Sequence, residues 1–216
     1  SDYSAAIMAY ALDAESVTIW KDVPGLLNAD PKRFPDAVKL DKIPYEEAVE
    51  LSYYGASIIH PKTLKPLQNK QIPLYVKSFF QPEAEGSVIS ACDMDADIPS
   101  YIVKDNQTLI SIFPRDFSFI AVDNLSEIFE VLSKYRIKIN MMQNSALSFS
   151  VCTDMDKERV PKCIEALQDK YKVKYNENVQ LITIRHYTEA SIDKVLQNRE
   201  MILRQTSRAT IQFAVK

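Results

Sequence analysis

Apolar and polar residues recur along this chain with two different periods, and the switches between them mark out its elements. At the start, Tyr3, Ile7, Tyr10, Ala11 and Ala14 fall on one face at helical spacing. Over residues 16–20 the period shortens to two, with Val17 and Ile19 opposing Thr18 and Trp20 as in a strand. Tyr45–Tyr54 reads as a punctuated helix: Pro44 can sit at its first position, where no N–H is needed, and Gly55 stands where a left-handed cap is wanted. A short helix through Leu64 and Leu67 follows the break at His60–Pro61, and Ile72, Leu74 and Val76 then alternate in a strand over 72–77 expected to end a sheet.

Farther on the order becomes regular. A strand at 109–113 precedes a helix in which Leu125, Ile128, Phe129 and Leu132 keep i, i+3, i+4, i+7 spacing. Two alternating runs, 137–142 and 147–152, flank a turn near Asn144 and Ser145 and suit an antiparallel pair. Val160, Cys163, Ile164, Leu167 and Tyr171 form one stripe of a second helix, before a strand at 173–175. The order βαββαβ is the ferredoxin-like arrangement. From Gln180 the pattern restarts as a strand (181–187), a short helix, a strand (201–205) and a last alternating strand through Ile211, Phe213 and Val215, stopping before a second helix. Such a βαββ unit leaves open edges, to be covered by an upstream strand at 101–104 or by a second subunit, with dimerisation the simpler expectation.

Composition narrows the possibilities. The chain has 216 residues, 46% hydrophobic and 25% charged, enough for one large core or two smaller ones. An acidic, weakly periodic stretch at 81–100 suggests a boundary, giving expected domains at 1–95, 96–178 and 179–216. With 26 basic against 29 acidic side chains and no long basic run, nucleic acid is not an expected partner. Cys92, Cys152 and Cys163 form no CxxC pair and read as small buried groups, and only His60 and His186 are available as imidazole ligands, so no metal site is expected. No apolar run approaches the ~18 residues of a membrane span, and a cytoplasmic protein with no membrane partner is expected. No glycine follows Gly86 and no glycine-rich phosphate cradle is present; the opening runs straight into a helical pattern, as if inside a domain.

Four ordered blocks carry a resemblance beyond the opening Ser1-Asp2-Tyr3-Ser4-Ala5-Ala6. They are Ile19-Trp20-Lys21-Asp22-Val23-Pro24-Gly25, Ala29-Asp30-Pro31-Lys32, Tyr45-Glu46-Glu47-Ala48 and Tyr54-Gly55-Ala56-Ser57-Ile58-Ile59-His60-Pro61. Together with the βαββαβ–βαββ tail they resemble the aspartate kinases. The resemblance implies an α/β fold: the C-terminal part of an amino-acid-kinase-type α/β sandwich, then two ferredoxin-like ACT domains, the second incomplete. It implies transfer of the terminal phosphoryl of ATP, with Mg2+, to the β-carboxylate of L-aspartate. It also implies feedback by an end product of the lysine, threonine and methionine pathway, and a homodimer through the ACT region. The family's amino-terminal lysine and glycine turns are absent, so the chain alone is expected to be inactive. The alternative is a stand-alone amino-acid-binding regulatory subunit; a different amino-acid or nucleotide-monophosphate kinase is disfavoured by the ACT tail.

Carried over by position, the resemblance makes Asp2 catalytic and places Ser1 at the substrate. It assigns Lys21, Asp22, Leu27, Lys32 and Ser57 to the nucleotide, although relatives commonly have Thr, Tyr, Arg and Lys where this chain has Lys21, Leu27, Lys32 and Ser57. An effector amino acid is expected at Phe117, Ser118, Ala121, Asn124, Leu125, Lys138, Ile139, Asn140, Asn144 and Ser145. Lysine-sensitive members usually carry Asp and Glu where Asn140 and Ala146 stand, which leaves lysine and threonine both open as effector. Read without the resemblance, Asp2 is a helix-start residue, Lys21, Asp22 and Asp30 are turn residues, and His60 and His186 are structural.

Overall fold

The computed structural model describes residues 2–56, 59–94, 98–116 and 118–216. Chain contacts divide it into two compact units, Ser1–Ile102 with Ile184–Ser191, and Val103–Thr183 with Ile192–Lys216. These units follow packing, whereas the sequence-based domain limits follow composition.

The first unit contains α1 (Asp2–Ala11), β1 (Val17–Lys21), β2 (Leu26–Leu27), β3 (Lys39–Leu40), β4 (Lys42–Pro44), α2 (Tyr45–Tyr54), α3 (Pro61–Asn69), β5 (Leu74–Ser78) and β6 (Ser87–Ser90). Its main sheet has the order β1-β5-β6-β4. Strands β1 and β5 are parallel, from Val17 opposite Leu74 to Lys21 opposite Ser78, so their carboxyl ends lie on one edge. Strand β5 is therefore internal and does not end the sheet: β6, hidden in the acidic stretch, pairs with it antiparallel. Ile43, Leu64, Leu67, Leu74 and Val76 are completely buried in the core, and the Tyr45 hydroxyl reaches it by donating to the Ile72 carbonyl at 2.6 Å.

Helix α2 has the predicted limits, with one adjustment: Pro44 is its extended cap residue and not its first turn. Gly55, at φ 117°, donates to the Leu51 and Ser52 carbonyls and closes it. Helix α1 corrects the apolar face read from sequence. Ala6 and Ala9 are buried, while Tyr3, Ile7 and Tyr10 are exposed. Small side chains let α1 approach α3 closely, and the large residues are left on the outer side.

The second unit is built on β7 (Ser100–Pro114), α4 (Val122–Lys134), β8 (Ile139–Asn144), β9 (Phe149–Asp154), α5 (Arg159–Gln168), β10 (Tyr171–Arg185), α6 (Glu189–Leu196), β11 (Met201–Thr206) and β12 (Thr210–Val215). Their sheet has the order β11-β12-β10-β7-β9-β8. The four strands β10-β7-β9-β8 with α4 and α5 form the expected ferredoxin-like unit, and Ile110, Ile112, Ile128, Val151, Val160 and Cys163 pack between helices and sheet. The other face buries Leu109, Met141, Cys152, Val179, Leu181 and Ala214.

Two strands run longer than the periodicity suggested. The segments 101–104 and 109–113 are parts of one strand, β7, and 173–175 and 181–187 are parts of another, β10, which ends at Arg185. What reads as a break is a kink. Asn106 in β7 and Asn178 in β10 both adopt left-handed φ, 51° and 56°, and asparagine tolerates that region better than most residues. In a tail without glycine, asparagine supplies these bends. Strand β10 lies between β12 and β7, and Gln180 donates to the Asp105 carboxylate at 2.7 Å. On its β10 side the βαββ unit is covered within the chain by the upstream strand, one of the two expected covers, while β11 stands at the edge of the sheet.

At Asn178 the kink makes a direct prediction. Asn178→Gly should leave the melting temperature unchanged or raised, whereas Asn178→Val, whose branched side chain resists left-handed φ, should cost about 1–2 kcal/mol in denaturant unfolding. Equal stability of the two variants would show that the bend does not depend on this residue.

Candidate functional site

The carboxyl edge of a parallel strand pair is where ligands of α/β sheets bind, and on this edge the first unit gathers charge. Asp2 opens α1 and Lys21 ends β1, and the Lys21 ammonium lies 3.6 Å from the Asp2 carboxylate, both partly exposed. The first turn of α1 presents unsatisfied N–H groups and a partial positive charge, so ammonium and helix end together favour an anion. Phe79, just past β5, donates its N–H to the Lys21 carbonyl at 2.7 Å, and its ring meets Trp20 edge-on. The strand end that carries Lys21 is therefore fixed from both sides.

Beyond Lys21, exposed Asp22 leads into the β2–β3 hairpin, where Leu27 is half-buried and pairs with Lys39. The Leu26 N–H donates to the buried Ser87 hydroxyl at 2.8 Å, anchoring the hairpin to β6. This contact requires glycine next door: Gly25 has φ 154°, and a Cβ there would stand 2.4 Å from the Ser87 oxygen. Asn28 clamps the same segment, accepting from the Val38 N–H and donating to the Pro99 carbonyl. Lys32 is exposed, its N–H donating to the Asp30 carboxylate in a tight turn. Asp2 and Lys21 are thus brought together, while Asp22, Leu27 and Lys32 follow along one anchored loop. Ser1 and Ser57 lie outside the described residues. The anchors Ser87, Asn28 and Lys39 were not anticipated, since nothing in their spacing distinguishes them from turn residues.

At the second unit the proposed effector positions separate into two groups. The Ile120 N–H donates to the Ala146 carbonyl at 2.9 Å, joining the β7–α4 loop to the β8–β9 turn. Ser118, Ala121 and Asn124 are thereby placed with Asn144 and Ser145. The Asn124 side chain accepts from the Ala121 N–H at 2.9 Å and reaches the Tyr171 hydroxyl at 3.4 Å, and the Ser145 and Ser148 hydroxyls pair at 2.9 Å. Leu125 packs against the helix-side core; Phe117 lies outside the described residues. Lys138, Ile139 and Asn140 sit at the other end of β8, about 17 Å away at the usual strand rise. Within one chain the two groups do not converge.

Asn140 occupies a bulge, since Ile139 pairs with Thr153 and Met141 with Cys152, and a bulge re-aims a side chain. Here it turns the amide into a polar cluster. Asn140 accepts from the Lys104 ammonium at 2.8 Å and donates to Gln107 at 2.7 Å and to Asp154 at 2.8 Å. Gln107 also donates to Asp154 at 2.9 Å. Burial alone would raise the Asp154 pKa, but these donors and the Lys104 charge outweigh it and hold the carboxyl below its ordinary value. Burial, with Lys138 nearby, lowers the pKa of Lys104. Cys152 in the same place is pushed up to about 12 by burial, which leaves it an unreactive thiol.

The two histidines have defined roles. His60 caps α3, its Nδ1 accepting from the Lys62 N–H at 3.2 Å. His186, which the sequence left without a partner, has its Nε2 3.1 Å from the Glu47 carboxylate. Among the described residues no helix is long and apolar enough to cross a membrane.

Known proteins resemble this chain in sequence and in fold. Residues 1–78 match the amino acid kinase family. Over 157 residues the chain is 33% identical to the lysine-sensitive aspartokinase 3 of Escherichia coli (strain K12), covering 71% of this chain and 34% of that protein. It is 31% identical over 178 residues to the chloroplastic bifunctional aspartokinase/homoserine dehydrogenase 2 of Zea mays, covering 80% of this chain and 19% of that one. The crystal structure of E. coli aspartokinase III in complex with aspartate and ADP superimposes with a TM-score of 0.82 at 25% identity, over 99% of this chain and 52% of that one. The chain is homologous to the aspartokinases. It spans a fifth to a third of these two curated relatives and about half of the solved structure. As expected, an α/β part precedes the ferredoxin-like part, and the whole chain superimposes on that structure.

The cluster around Asn140 predicts a sharp response to charge. Asn140→Asp removes both amide donors and sets a second carboxylate against Asp154, and should cost about 1–3 kcal/mol at pH 7. Asn144→Asp, at an exposed position, should be nearly neutral. Urea denaturation of both variants checks this; equal midpoints would mean that the cluster does not depend on the amide.

Proposed function

We propose that this chain is the carboxy-terminal part of an aspartate kinase, which phosphorylates the β-carboxylate of L-aspartate with ATP under feedback from an end-product amino acid. The observation that carries the reading is the Asp2–Lys21 pair where the start of α1 meets the carboxyl end of β1. Phosphoryl transfer depends on positioned positive charge more than on covalent chemistry. Lys21 supplies an ammonium to phosphate oxygens, Asp2 orients it, and the anchored segment through Asp22, Leu27 and Lys32 borders the nucleotide. Magnesium belongs to the nucleotide substrate, whose phosphates it neutralises. The cytoplasm, where ATP and aspartate are available, is the compartment this reading assigns.

The sensing role rests on the second unit. The loop holding Ser118, Ala121 and Asn124 presents the start of α4, suited to an amino-acid carboxylate. The separation of this loop from Lys138–Asn140, and the position of β8 at the edge of the sheet, favour an effector site completed between two copies in a homodimer. Lysine and threonine are the candidate effectors. A lysine side chain would look for a carboxylate near Asn140, but Asp154 is already engaged there. Threonine asks only for hydroxyl and amide contacts, such as exposed Gln143 and Asn144 offer.

Thermal denaturation of the purified chain with L-lysine, L-threonine, L-methionine or Mg-ADP tests both halves of the reading. A ligand at a hundred times its dissociation constant adds about 2.7 kcal/mol to the folded state. Stabilisation by lysine or threonine is expected, together with an Mg-ADP shift that Lys21→Ala abolishes while the amino-acid shift survives. No shift with any of the four ligands would overturn the reading for this chain.

A further inference from the structure

The β2–β3 hairpin of the first unit closes on Asn28, a residue 8% exposed whose polar groups are all used. Leu26 pairs with Leu40 and Leu27 with Lys39, which puts Asn28 opposite Val38. In a regular antiparallel pair two such residues exchange both of their main-chain bonds. Here the exchange is altered. The Asn28 N–H donates to the Val38 carbonyl at 3.0 Å, but the Val38 N–H donates to the Asn28 side-chain Oδ1 at 2.8 Å. The side chain takes the place of its own carbonyl, which accepts instead from the Tyr101 N–H at 2.7 Å. The amide nitrogen, Nδ2, donates to the Pro99 carbonyl at 2.8 Å. Val38 needs an acceptor and Pro99 a donor, and a primary amide presents both on one branch, whereas a carboxylate only accepts.

Between the two closing residues runs the loop 29–37, which carries Lys32. Inside it the Lys32 N–H donates to the Asp30 carboxylate, the Arg33 and Phe34 N–H groups to the Asp30 carbonyl, and the Ala37 N–H to the Phe34 carbonyl. These local bonds shape the loop without placing it. Placement comes from the segment 99–101, whose Pro99 is 71 residues from Asn28 and lies in the same compact unit. Asn28 ties the base of the loop to that segment by two bonds. Nearer the tip, the Phe34 ring stacks on the Tyr101 ring, with centroids 4.9 Å apart and planes inclined by 24°.

We infer that Asn28 is the positioning residue of the candidate nucleotide loop: by latching residues 29–37 to 99–101 it holds Lys32 in place for the nucleotide. A lysine on an untied loop has to be ordered when it binds, and that ordering costs affinity. A latched loop has met this cost on folding. Asn28 touches no reacting group and acts through Lys32. The latch stands on the contacts alone, while its bearing on the nucleotide rests on the function proposed above.

Two measurements on the full chain separate latch from nucleotide. Trypsin cleaves after lysine and arginine, so the rate of nicking at Lys32 and Arg33 reads whether the loop is held. Asn28→Asp keeps the acceptor for Val38 but loses the donor to Pro99, and should speed nicking by at least about fivefold, the lower end of what an orphaned carbonyl costs. Phe34→Leu keeps the hydrogen bonds and loses the ring stack; it should speed nicking less, and it carries both measurements if Asn28→Asp does not fold. Titration with Mg-ADP then tests positioning. Asn28→Asp and Lys32→Ala should each weaken Mg-ADP binding, and the double variant should bind no worse than the weaker single one, because residues acting as a unit do not add. Nicking at the wild-type rate would overturn the latch, whatever the chain binds. Faster nicking with unchanged Mg-ADP affinity, or with fully additive losses, would overturn the positioning role. If the wild-type chain took no Mg-ADP, the function proposed above would fall, and faster nicking in Asn28→Asp would keep the latch without its nucleotide role.

Discussion

Every backbone N–H and C=O buried in a sheet needs a partner, and a βαββ unit cannot provide them all by itself. Here the need is met by two strands of fifteen residues, β7 and β10, lying side by side at the centre of one six-stranded sheet. Each serves the complete ferredoxin-like unit along one part of its length and the unfinished unit along the other. The bends at Asn106 and Asn178 let one strand follow both twists without leaving the ladder. With both faces covered, the sheet buries apolar residues on each side of its central strands.

The bends also determine where polar groups go. Asn106 lies between Lys104 and Gln107, and the polar cluster with Asn140 and Asp154 forms there, where the regular inward and outward alternation of β7 is interrupted. Such a cluster in a low-dielectric place is specific only if each member is satisfied, and Asn140, turned inward by its bulge, supplies the amide that bonds three of its neighbours. At the other end of β10, Arg185 donates to the buried Glu47 carboxylate. Polar specificity is thus concentrated where long strands bend or change company, and the apolar core fills what lies between.

Local rules were readable in the sequence and long-range partnerships were not. Tyr45–Tyr54 carries its own stop signal in Gly55, and the helix stripes of α4 and α5 carry their own period, so these elements appeared where expected, except that Tyr171, read as the end of the second stripe, begins β10. The βαββαβ order followed from them. Strand β6 was missed because four residues in an acidic stretch hold too little pattern. The outward large residues of α1 misled because alanine, the side chain that α3 actually meets, carries little signal. Of the candidate site, Asp2 and Lys21 were singled out separately by the resemblance, and no sequence signal showed that they lie 3.6 Å apart. Asn140 was singled out without its cluster, since no sequence spacing announces a bulge. Glu47 and Arg185, 138 residues apart, leave no local trace at all; a carboxylate among the buried positions of α2 was the one available hint.

The central claim is that β7 and β10 make a single cooperative sheet of what the sequence presents as one whole and one partial unit. Native-state hydrogen exchange in increasing denaturant measures this directly, because elements that open together share one free energy of exchange. The slowest amides of β12, β10, β7 and β9 should converge on a single opening free energy. If β11 and β12 opened in a separate, lower-energy step while β7 and β9 stayed protected, the shared-strand account would be contradicted.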